Sequence, residues 1–383
     1  MKKSWINNLR KLDTVLVISG VLAILSMFIN PPGREYLEFI DVRVLCLLFS
    51  LMAVIGGLGQ EGIFEKAAAV LAGRAGTLRM LAYILVGLCF FSSMFITNDV
   101  ALITFVPMTI FMLRGHRQKQ MILVIVLETI GANLGSMLLP FGNPQNLYIY
   151  GKYNMGLAEF LITMLPVWLF SLVLLAVLIR VLIPGEALGL TGEQENVGER
   201  AQKEPTHMVR SKRNVILYCI LFVVCICGVL RFLPYYVVLL LVVAVFLAVA
   251  PGVLRKVDYG LLLTFLFFFI FVGNLSRIET VQQVAKELLE GRVVLASALI
   301  SQVISNVPAA LMLSGFTGEG AQLLLGVNIG GLGTLIASMA SLISYKYYKA
   351  SPEADGKGYF LWFTGLNVLL LVIFLVLQRF LPV

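Results

Sequence analysis

The chain has 383 residues, of which 59% are hydrophobic and 13% are charged. Soluble domains carry about 25% charged residues, so this composition excludes a soluble protein and predicts an all-α polytopic membrane protein. The net charge of +8 comes from Lys and Arg in short loops between apolar segments, which excludes a nucleic-acid partner and indicates membrane orientation.

Nine apolar segments are long enough to cross a hydrocarbon core roughly 30 Å thick. The first segment is too long for a signal peptide and lacks an A-x-A cleavage pattern, so we expect it to be retained. The five cysteines lie inside apolar segments without the spacing of zinc sites or disulfide frameworks, so no cofactor is expected. The nine segments are 12–30, 41–59, 119–150, 157–183, 214–231, 235–250, 258–273, 321–345 and 359–381.

Two further apolar stretches, 78–114 and 291–315, are interrupted midway by polar residues. The interruptions are Thr97-Asn98-Asp99 and Ser305-Asn306-Val307, and a proline follows each of them. Non-helical backbone at membrane depth is tolerated only where protein or a water-filled cavity satisfies its polar groups. Each stretch is therefore predicted to form a re-entrant hairpin with a buried tip.

The distribution of Lys and Arg predicts the orientation of the chain, because these residues accumulate in cytoplasmic loops. Basic residues flank the first hairpin at Arg79 and over 114–119, whereas the loops around the second hairpin carry few. The N-terminus is therefore predicted to be cytoplasmic and the C-terminus outside. The two hairpins are predicted to enter the membrane from opposite faces.

The hydrophilic segment 184–213 divides the chain into halves and is predicted to be a cytoplasmic linker. Residues 1–183 form a first transmembrane repeat, and 214–383 form a second in which 214–231 is an extra span. Equivalent elements are separated by an odd number of crossings, so the second repeat is predicted to be inverted relative to the first.

A span broken by glycine and asparagine follows each hairpin. Unwound segments of this kind offer carbonyl groups to ions in transporters, although small residues also serve close helix packing. The paired G-x-N-x-G patterns at 131–135 and 326–330 favour a binding site. The candidates from the two broken spans are Asn133, Gly135, Asn143, Asn146, Asn328, Gly330 and Thr334.

Ionisable side chains within the apolar segments are scarce, so each one is a functional candidate. Asp99 lies at the first hairpin tip, and Glu128 lies in the middle of a span, where it could also be a structural hydrogen-bond partner. A carboxyl group in a low-dielectric site can carry a proton, so both are candidates for proton coupling. His116 and His207 fall in a loop and in the linker, and neither is predicted to bind a metal.

These motifs resemble the arsenite permease group of the ion transporter superfamily, which also contains the citrate and divalent-anion:sodium symporters and the melanosomal P protein. The resemblance rests on Thr97-Asn98-Asp99 with Pro107, on GANLGS with FGNPQN, and on Ser305-Asn306 with GVNIGG in the second half. It implies inverted repeats, a substrate and ion site at Thr97, Asn98, Ser305 and Asn306, sodium at the hairpin tips, and a homodimer.

The sequence departs from the symporter pattern at two positions. Asp99 and Val307 stand where a symporter would have threonine, and the loss of hydroxyl groups argues against a dicarboxylate and sodium mechanism. The arsenite permeases contain Asn-Asp at the first tip and are regarded as proton-coupled. The resemblance therefore favours protons over sodium as the coupling ion.

No P-loop, Rossmann glycine pattern, H-E-x-x-H or nucleophile elbow occurs, so the chain is predicted not to be an enzyme. We expect a secondary active transporter of the bacterial inner membrane that moves a small anion or metalloid oxyacid by alternating access, coupled to protons or sodium. The alternative is a sodium-coupled di- or tricarboxylate symporter. An ion channel is a weaker alternative, because an acid at one tip and two-sided symmetry favour alternating access.

Overall fold

A computed structural model describes residues 14–115, 118–187, 211–352 and 354–380. Within these ranges the chain is helical, without β-strands. Most of the predicted linker, together with His116 and His207, lies outside the described residues. The first half contains α1 Thr14–Met27, α2 Tyr36–Phe39, α3 Val42–Gln60, α4 Ile63–Ala72, α5 Leu78–Ile96, α6 Asn98–Met112, α7 Gln118–Gly135, α8 Pro144–Lys152 and α9 Leu157–Leu182. The second half contains α10 Lys212–Val229, α11 Tyr235–Val249, α12 Pro251–Leu254, α13 Tyr259–Leu275, α14 Glu279–Leu289, α15 Val293–Ile304, α16 Asn306–Leu313, α17 Gly320–Ile329, α18 Met339–Lys349 and α19 Gly356–Leu377.

Six helices in the described ranges are long and apolar enough to cross a membrane, namely α3, α5, α7, α9, α10 and α19. A seventh span arises if α13 and α14, which meet at a bend of 104°, are taken together. The chain is therefore an all-α polytopic membrane protein, as its composition predicts.

Of the described helices, six or seven rather than the predicted nine have the length and composition of a full span. Helices α11 and α13 have 15 and 17 residues, and α17 has 10, so each is shorter than the roughly 20 residues that a span needs. The predicted segments 235–250 and 258–273 agree with α11 and α13 to within two residues, whereas the predicted segment 321–345 is divided between α17 and α18 by the break after Ile329. Conversely, α5 has 19 residues, so the first arm of the first hairpin has the length of a complete span.

Both hairpins turn at the residues that the sequence indicates. Helix α5 meets α6 at Thr97, and α15 meets α16 at Ser305. The two residues share one unusual backbone conformation, with φ 69° and ψ 153° at Thr97 and φ 73° and ψ 155° at Ser305. This region of backbone space is adopted essentially by glycine alone, so both tips are strained.

The two predicted broken spans are also present. Helix α7 ends at Gly135, a short 3₁₀ turn covers Ser136–Leu138, and α8 begins at Pro144. In the second half the chain leaves α17 after Ile329 and resumes at Met339. Glycine is required at the first break, because a Cβ atom on Gly135 would lie 1.9 Å from the carbonyl oxygen of Phe90.

The order of elements recurs in the two halves, with α1, α3 and α4 corresponding to α11, α13 and α14. The hairpins, the broken helices and the final helices α9 and α19 follow in the same order, and α10 is the extra element. The halves interlock, because α1 packs along α13 and α11 packs along α3. Small residues allow these contacts: Gly20 faces Phe267, and Gly57 faces Phe246. The inversion of the second half relative to the membrane stays a prediction.

Candidate functional site

The first hairpin tip is joined to the broken helix that follows it. Asn98 begins α6, and its side-chain amide donates to Oδ1 of Asn133 on α7 at 3.0 Å. The Oδ1 atom of Asn98 accepts from the backbone N–H of Asp99 at 3.0 Å. The conformation of Thr97 turns the chain so that Asn98 faces α7. The tip and the G-x-N-x-G pattern are therefore in direct contact.

Asn133 also reaches across to the second half of the chain. Its Oδ1 accepts from the hydroxyl of Ser338, the residue that precedes α18, at 2.9 Å. Its Nδ2 lies 3.4 Å from the hydroxyl of Ser341 and 3.5 Å from the carbonyl oxygen of Gly331. One asparagine of the first half is thus bonded to the break in the second half.

Asn328 of the second half makes the equivalent contacts to the break in the first half. Its Oδ1 accepts from Nδ2 of Asn143 at 3.1 Å, and its Nδ2 donates to Oδ1 of Asn146 at 2.7 Å. Asn143 caps α8 by accepting from the backbone N–H of Asn146 at 2.9 Å. Each G-x-N-x-G asparagine therefore contacts the N-cap residue and the third residue of the helix that follows the break in the other half.

The two sets of contacts form one network. The hydroxyl of Ser136 donates to the carbonyl oxygen of Asn133 at 3.1 Å and accepts from Nδ2 of Asn143 at 3.3 Å. We call the joined side chains the central network. Its members are Asn98, Asn133, Ser136, Asn143, Asn146, Asn328, Ser338 and Ser341.

The second hairpin tip adjoins the central network through backbone groups. The N–H of Asn306 donates to the carbonyl oxygen of Ala337 at 2.9 Å, and the hydroxyl of Ser305 lies 3.4 Å from the same oxygen. The side-chain amide of Asn306 lies beside Gly331, where a Cβ atom would approach its Nδ2 to 3.0 Å. Asn98, Asn133, Asn306 and Asn328 therefore lie close to one another, around the two breaks.

The central network is closed to solvent in this conformation. Asn98, Asn133 and Asn306 are each 5% exposed, and Asn328 is 2% exposed. The network side chains bond to one another, so they do not line an open cavity. Four helices, α6, α8, α16 and α18, begin beside it, and their N-terminal dipoles favour a negatively polarised ligand.

Two predicted site residues lie in a separate set of contacts. Thr334 donates its backbone N–H to Oε1 of Gln302 at 2.9 Å and its hydroxyl to the carbonyl oxygen of Gln302 at 3.0 Å. The carbonyl oxygen of Gly330 accepts from Nε2 of the same glutamine at 2.9 Å. Gln302 thus holds the second break against α15, and sequence reasoning did not single it out.

The two candidate carboxyl groups occupy different surroundings. Asp99 is half-buried in the first turn of α6. Glu128 is fully buried, and its Oε1 accepts from the hydroxyl of Thr109 at 2.5 Å. Among the described residues no group of three or more His, Cys, Asp or Glu side chains is arranged to hold a metal ion.

Sequence reasoning also missed Ser338 and Ser341. Asn143 follows Asn133 by ten positions and Asn146 by a further three, and Ser338 and Ser341 stand at the same offsets from Asn328. Aligning the two breaks on their asparagines would have identified both serines. Serine was overlooked because it is common at membrane helix interfaces.

Two helix hairpins and two broken helices around a shared polar network define the architecture of a membrane transporter. The chain belongs to the citrate transporter family, whose model matches residues 4–322. It is 31% identical over 372 residues to Uncharacterized transporter MJ0456 of Methanocaldococcus jannaschii, covering 96% of this chain and 97% of that protein. It is also 31% identical over 335 residues to Inner membrane protein YbiR of Escherichia coli, covering 87% of this chain and 86% of that protein.

A shorter alignment relates the chain to the Silicon efflux transporter LSI3 of Oryza sativa subsp. japonica. The two are 31% identical over 131 residues, which make up 34% of this chain and 27% of that protein. Among solved structures, the YdaH transporter of Alcanivorax borkumensis has a similar fold. The TM-score is 0.51 at 15% identity, and the alignment covers 90% of this chain and 86% of that one.

Proposed function

We propose that this protein is a secondary active transporter that moves a small anion or metalloid oxyacid by alternating access. The observation that carries the proposal is the central network, to which both halves contribute equivalent side chains. A site shared in this way changes whenever one half moves relative to the other. Its burial in the present conformation is what a closed intermediate between two open states requires.

The chemistry of the central network supports an oxyacid as the cargo. Its side chains are amides and hydroxyls, with no Lys, Arg or His among them, so the cargo would be held by hydrogen bonds and helix N-termini. A weakly acidic oxyacid, which carries several hydroxyl groups and little charge, fits such a site. The name of the rice relative, a silicon efflux transporter, agrees with this class of cargo.

The strained hairpin tips support binding at Thr97 and Ser305. Glycine would adopt these backbone angles without strain, yet both positions carry a hydroxyl side chain. Strain that persists at two equivalent positions indicates that the hydroxyl groups have a functional role. We assign them, with Asn98 and Asn306, to substrate or ion binding.

Asp99 is the proposed coupling group of the central site. It follows Asn98 directly, and its backbone N–H is bonded to the side chain of that network residue. A carboxyl group at this place can bind a proton or hold sodium as the substrate loads. Protons are favoured, because Asp99 stands where the symporters that the sequence resembles would have an uncharged threonine.

A sodium-coupled di- or tricarboxylate symporter is the second candidate, because the matching family model is described as a citrate transporter. Against it, the central network offers no cationic side chain to a substrate with two or three negative charges. The relative named an inner membrane protein supports a bacterial inner-membrane location. The cytoplasmic N-terminus, the outside C-terminus and a homodimer remain proposals from the sequence.

Transport in proteoliposomes tests the function. We expect arsenite or silicic acid, but not citrate, to move when a pH gradient is imposed, and we expect Asp99→Asn to abolish gradient-driven transport while substrate exchange continues. Citrate transport that needs a sodium gradient would establish the second candidate instead. Unitary current steps in a planar bilayer would contradict both and indicate a channel.

A further inference from the structure

The side-chain amide of Gln302 lies between the second hairpin and the second break. Its Nε2 atom is 2.9 Å from each of three backbone carbonyl oxygens, those of Ala298, Gly330 and Leu332. An amide nitrogen carries only two hydrogens, so it cannot donate a full hydrogen bond to all three oxygens. The three carbonyl groups therefore bring more negative polarisation to this place than one amide group compensates. We call these three oxygens the carbonyl cradle.

A contact on the other side of the amide fixes its orientation. The Oε1 atom of Gln302 accepts from the backbone N–H of Thr334 at 2.9 Å, so Nε2 has to face the carbonyl cradle. In a continuous helix this N–H would bond to the carbonyl oxygen of Gly330, four residues earlier. The amide is thus inserted into the interrupted helix and joins the two backbone groups that the break has separated.

Glycine at position 333 makes room for this amide. Gly333 has a φ of +105°, and a Cβ atom there would lie 2.1 Å from Oε1 of Gln302 and 2.8 Å from its Cδ. Residues with a side chain rarely adopt this φ, and the space for a side chain is already filled. The backbone of the break therefore accommodates the glutamine amide specifically.

The first break has a comparable arrangement with a different donor. The Nδ2 atom of Asn146 lies 3.1 Å from the carbonyl oxygen of Met137, 3.2 Å from that of Leu139 and 3.4 Å from that of Ser136. Each break thus presents three carbonyl oxygens to the nitrogen of one side-chain amide.

The two donors do not occupy equivalent positions in the halves. Gln302 lies four residues before Asn306, and the residue four before Asn98 is Met94, whose side chain has no N–H group. Asn146 belongs instead to the broken helix itself. Because each break receives its amide from a different element, what the two breaks share is a positively polarised group among carbonyl oxygens.

Backbone carbonyl groups of unwound membrane segments are also the groups that coordinate sodium in transporters and potassium in channel filters. We infer that the amide of Gln302 takes the place of a small monovalent cation in the carbonyl cradle, so that the second break is stable without sodium. Gln302 is then a residue that determines ion specificity. Coupling is left to a group elsewhere, Asp99, and this last step rests on the proposed function.

The alternative is that the amide only holds α15 against the break, as hydrogen-bonding side chains commonly do between membrane helices. Melting curves in detergent, recorded without substrate in sodium chloride or in choline chloride of equal ionic strength, distinguish the two. Gln302→Ala removes the amide and opens the carbonyl cradle. We expect this variant to melt below wild type in choline and to regain part of the loss in sodium, because an ion that binds only the folded state stabilises it.

Three further variants control this experiment. Gln302→Met removes the donor but fills the space, so it should lose stability without responding to sodium. Asn367→Ala removes another buried amide, which donates to one carbonyl oxygen, that of Phe363, at 2.9 Å, so its sodium response should equal that of wild type. Gln302→Ser also opens the carbonyl cradle, should respond like Gln302→Ala, and replaces it if that variant does not fold.

Equal sodium responses in wild type, Gln302→Ala and Gln302→Ser would overturn the inference, and so would a response of Gln302→Met as large as that of Gln302→Ala. Transport assays separate it from the proposed function. If the opened variants respond to sodium but wild-type proteoliposomes move no oxyacid, the role of Gln302 stands and the proposed function fails. If wild type moves an oxyacid and neither opened variant responds to sodium, the inference fails and the proposed function stands.

Discussion

A methyl group has no room at position 135, where α7 passes the backbone of α5. A Cβ atom there would lie 1.9 Å from the carbonyl oxygen of Phe90 and 2.6 Å from Oγ of Ser93. Because a backbone oxygen cannot move aside alone, Gly135→Ala should separate the two helices. We expect a loss of about 1–3 kcal/mol or more in stability, measured as a lower melting temperature in detergent.

Gly87→Ala is the matched control for this prediction. It adds the same methyl group to α5 at a position with no atom within 4 Å. Because alanine has a higher helix propensity than glycine, this substitution should leave the free energy of unfolding unchanged or raise it by up to about 1 kcal/mol. Equal melting temperatures for the two variants would show that the close approach at Gly135 does not exist.

For the strained residues at the hairpin tips we predict the opposite effect, a gain in stability on substitution. Thr97→Gly and Ser305→Gly relieve backbone strain of order 1–3 kcal/mol each, so both should raise the melting temperature. If the hydroxyl groups bind substrate or ion, both variants should also lose ligand-dependent stabilisation. Melting curves with and without ligand measure the two effects in one experiment.

Asn154→Gly serves as the control, because Asn154 also has a positive φ, 52°, but lies in the turn after α8. It should gain stability without any loss of binding. Unimpaired ligand stabilisation in both tip variants would remove Thr97 and Ser305 from the site.

At the scale of elements, the hairpins and breaks were predictable because polar residues interrupt otherwise apolar stretches. Thr97 and Ser305 are the turning residues themselves, and Asn143 caps the helix after the first break. The ends of α11 and α13 were predictable to within two residues from the apolar segments 235–250 and 258–273. The ends of α17 and α18 were not, because the apolar segment 321–345 runs through the break between Ile329 and Met339.

The candidate site was predictable in part, for a related reason. Asparagine is rare enough inside apolar segments to be noticed, and Asn98, Asn133 and Asn328 all belong to the central network. Ser338 and Ser341 bind at equivalent places but resemble ordinary packing residues in the sequence. Only their spacing from Asn328, compared between the two halves, distinguishes them.

At the scale of the whole molecule, the inverted relation of the halves is tested by labelling from each side of the membrane. In a background without native cysteines, Gly115→Cys and Gly318→Cys should react with an impermeant thiol reagent from opposite faces, because they follow the two hairpins. No atom lies within 4 Å of a Cβ at either position, and at Gly115, where φ is +82°, the substitution adds backbone strain in an open turn.

Two further positions serve as internal controls for the labelling experiment. Gly252→Cys, near Arg255, should label from the same face as Gly115→Cys, and Gly33→Cys should label with Gly318→Cys. Both positions are open. Labelling of positions 115 and 318 from one face would contradict the inverted repeats.

The most direct test of a shared site is ligand-dependent thermal stabilisation of Asn133→Ser and Asn328→Ser over a panel of oxyacids, carboxylates and cations. A ligand raises the melting temperature by an amount set by its concentration relative to its dissociation constant. We predict that an oxyacid stabilises wild type and that both variants, one from each half, lose this shift. Asn274→Ser, which changes a buried asparagine bonded to Ser26 away from the central network, should keep it. A shift that survives in either network variant would contradict a binding site built from both halves.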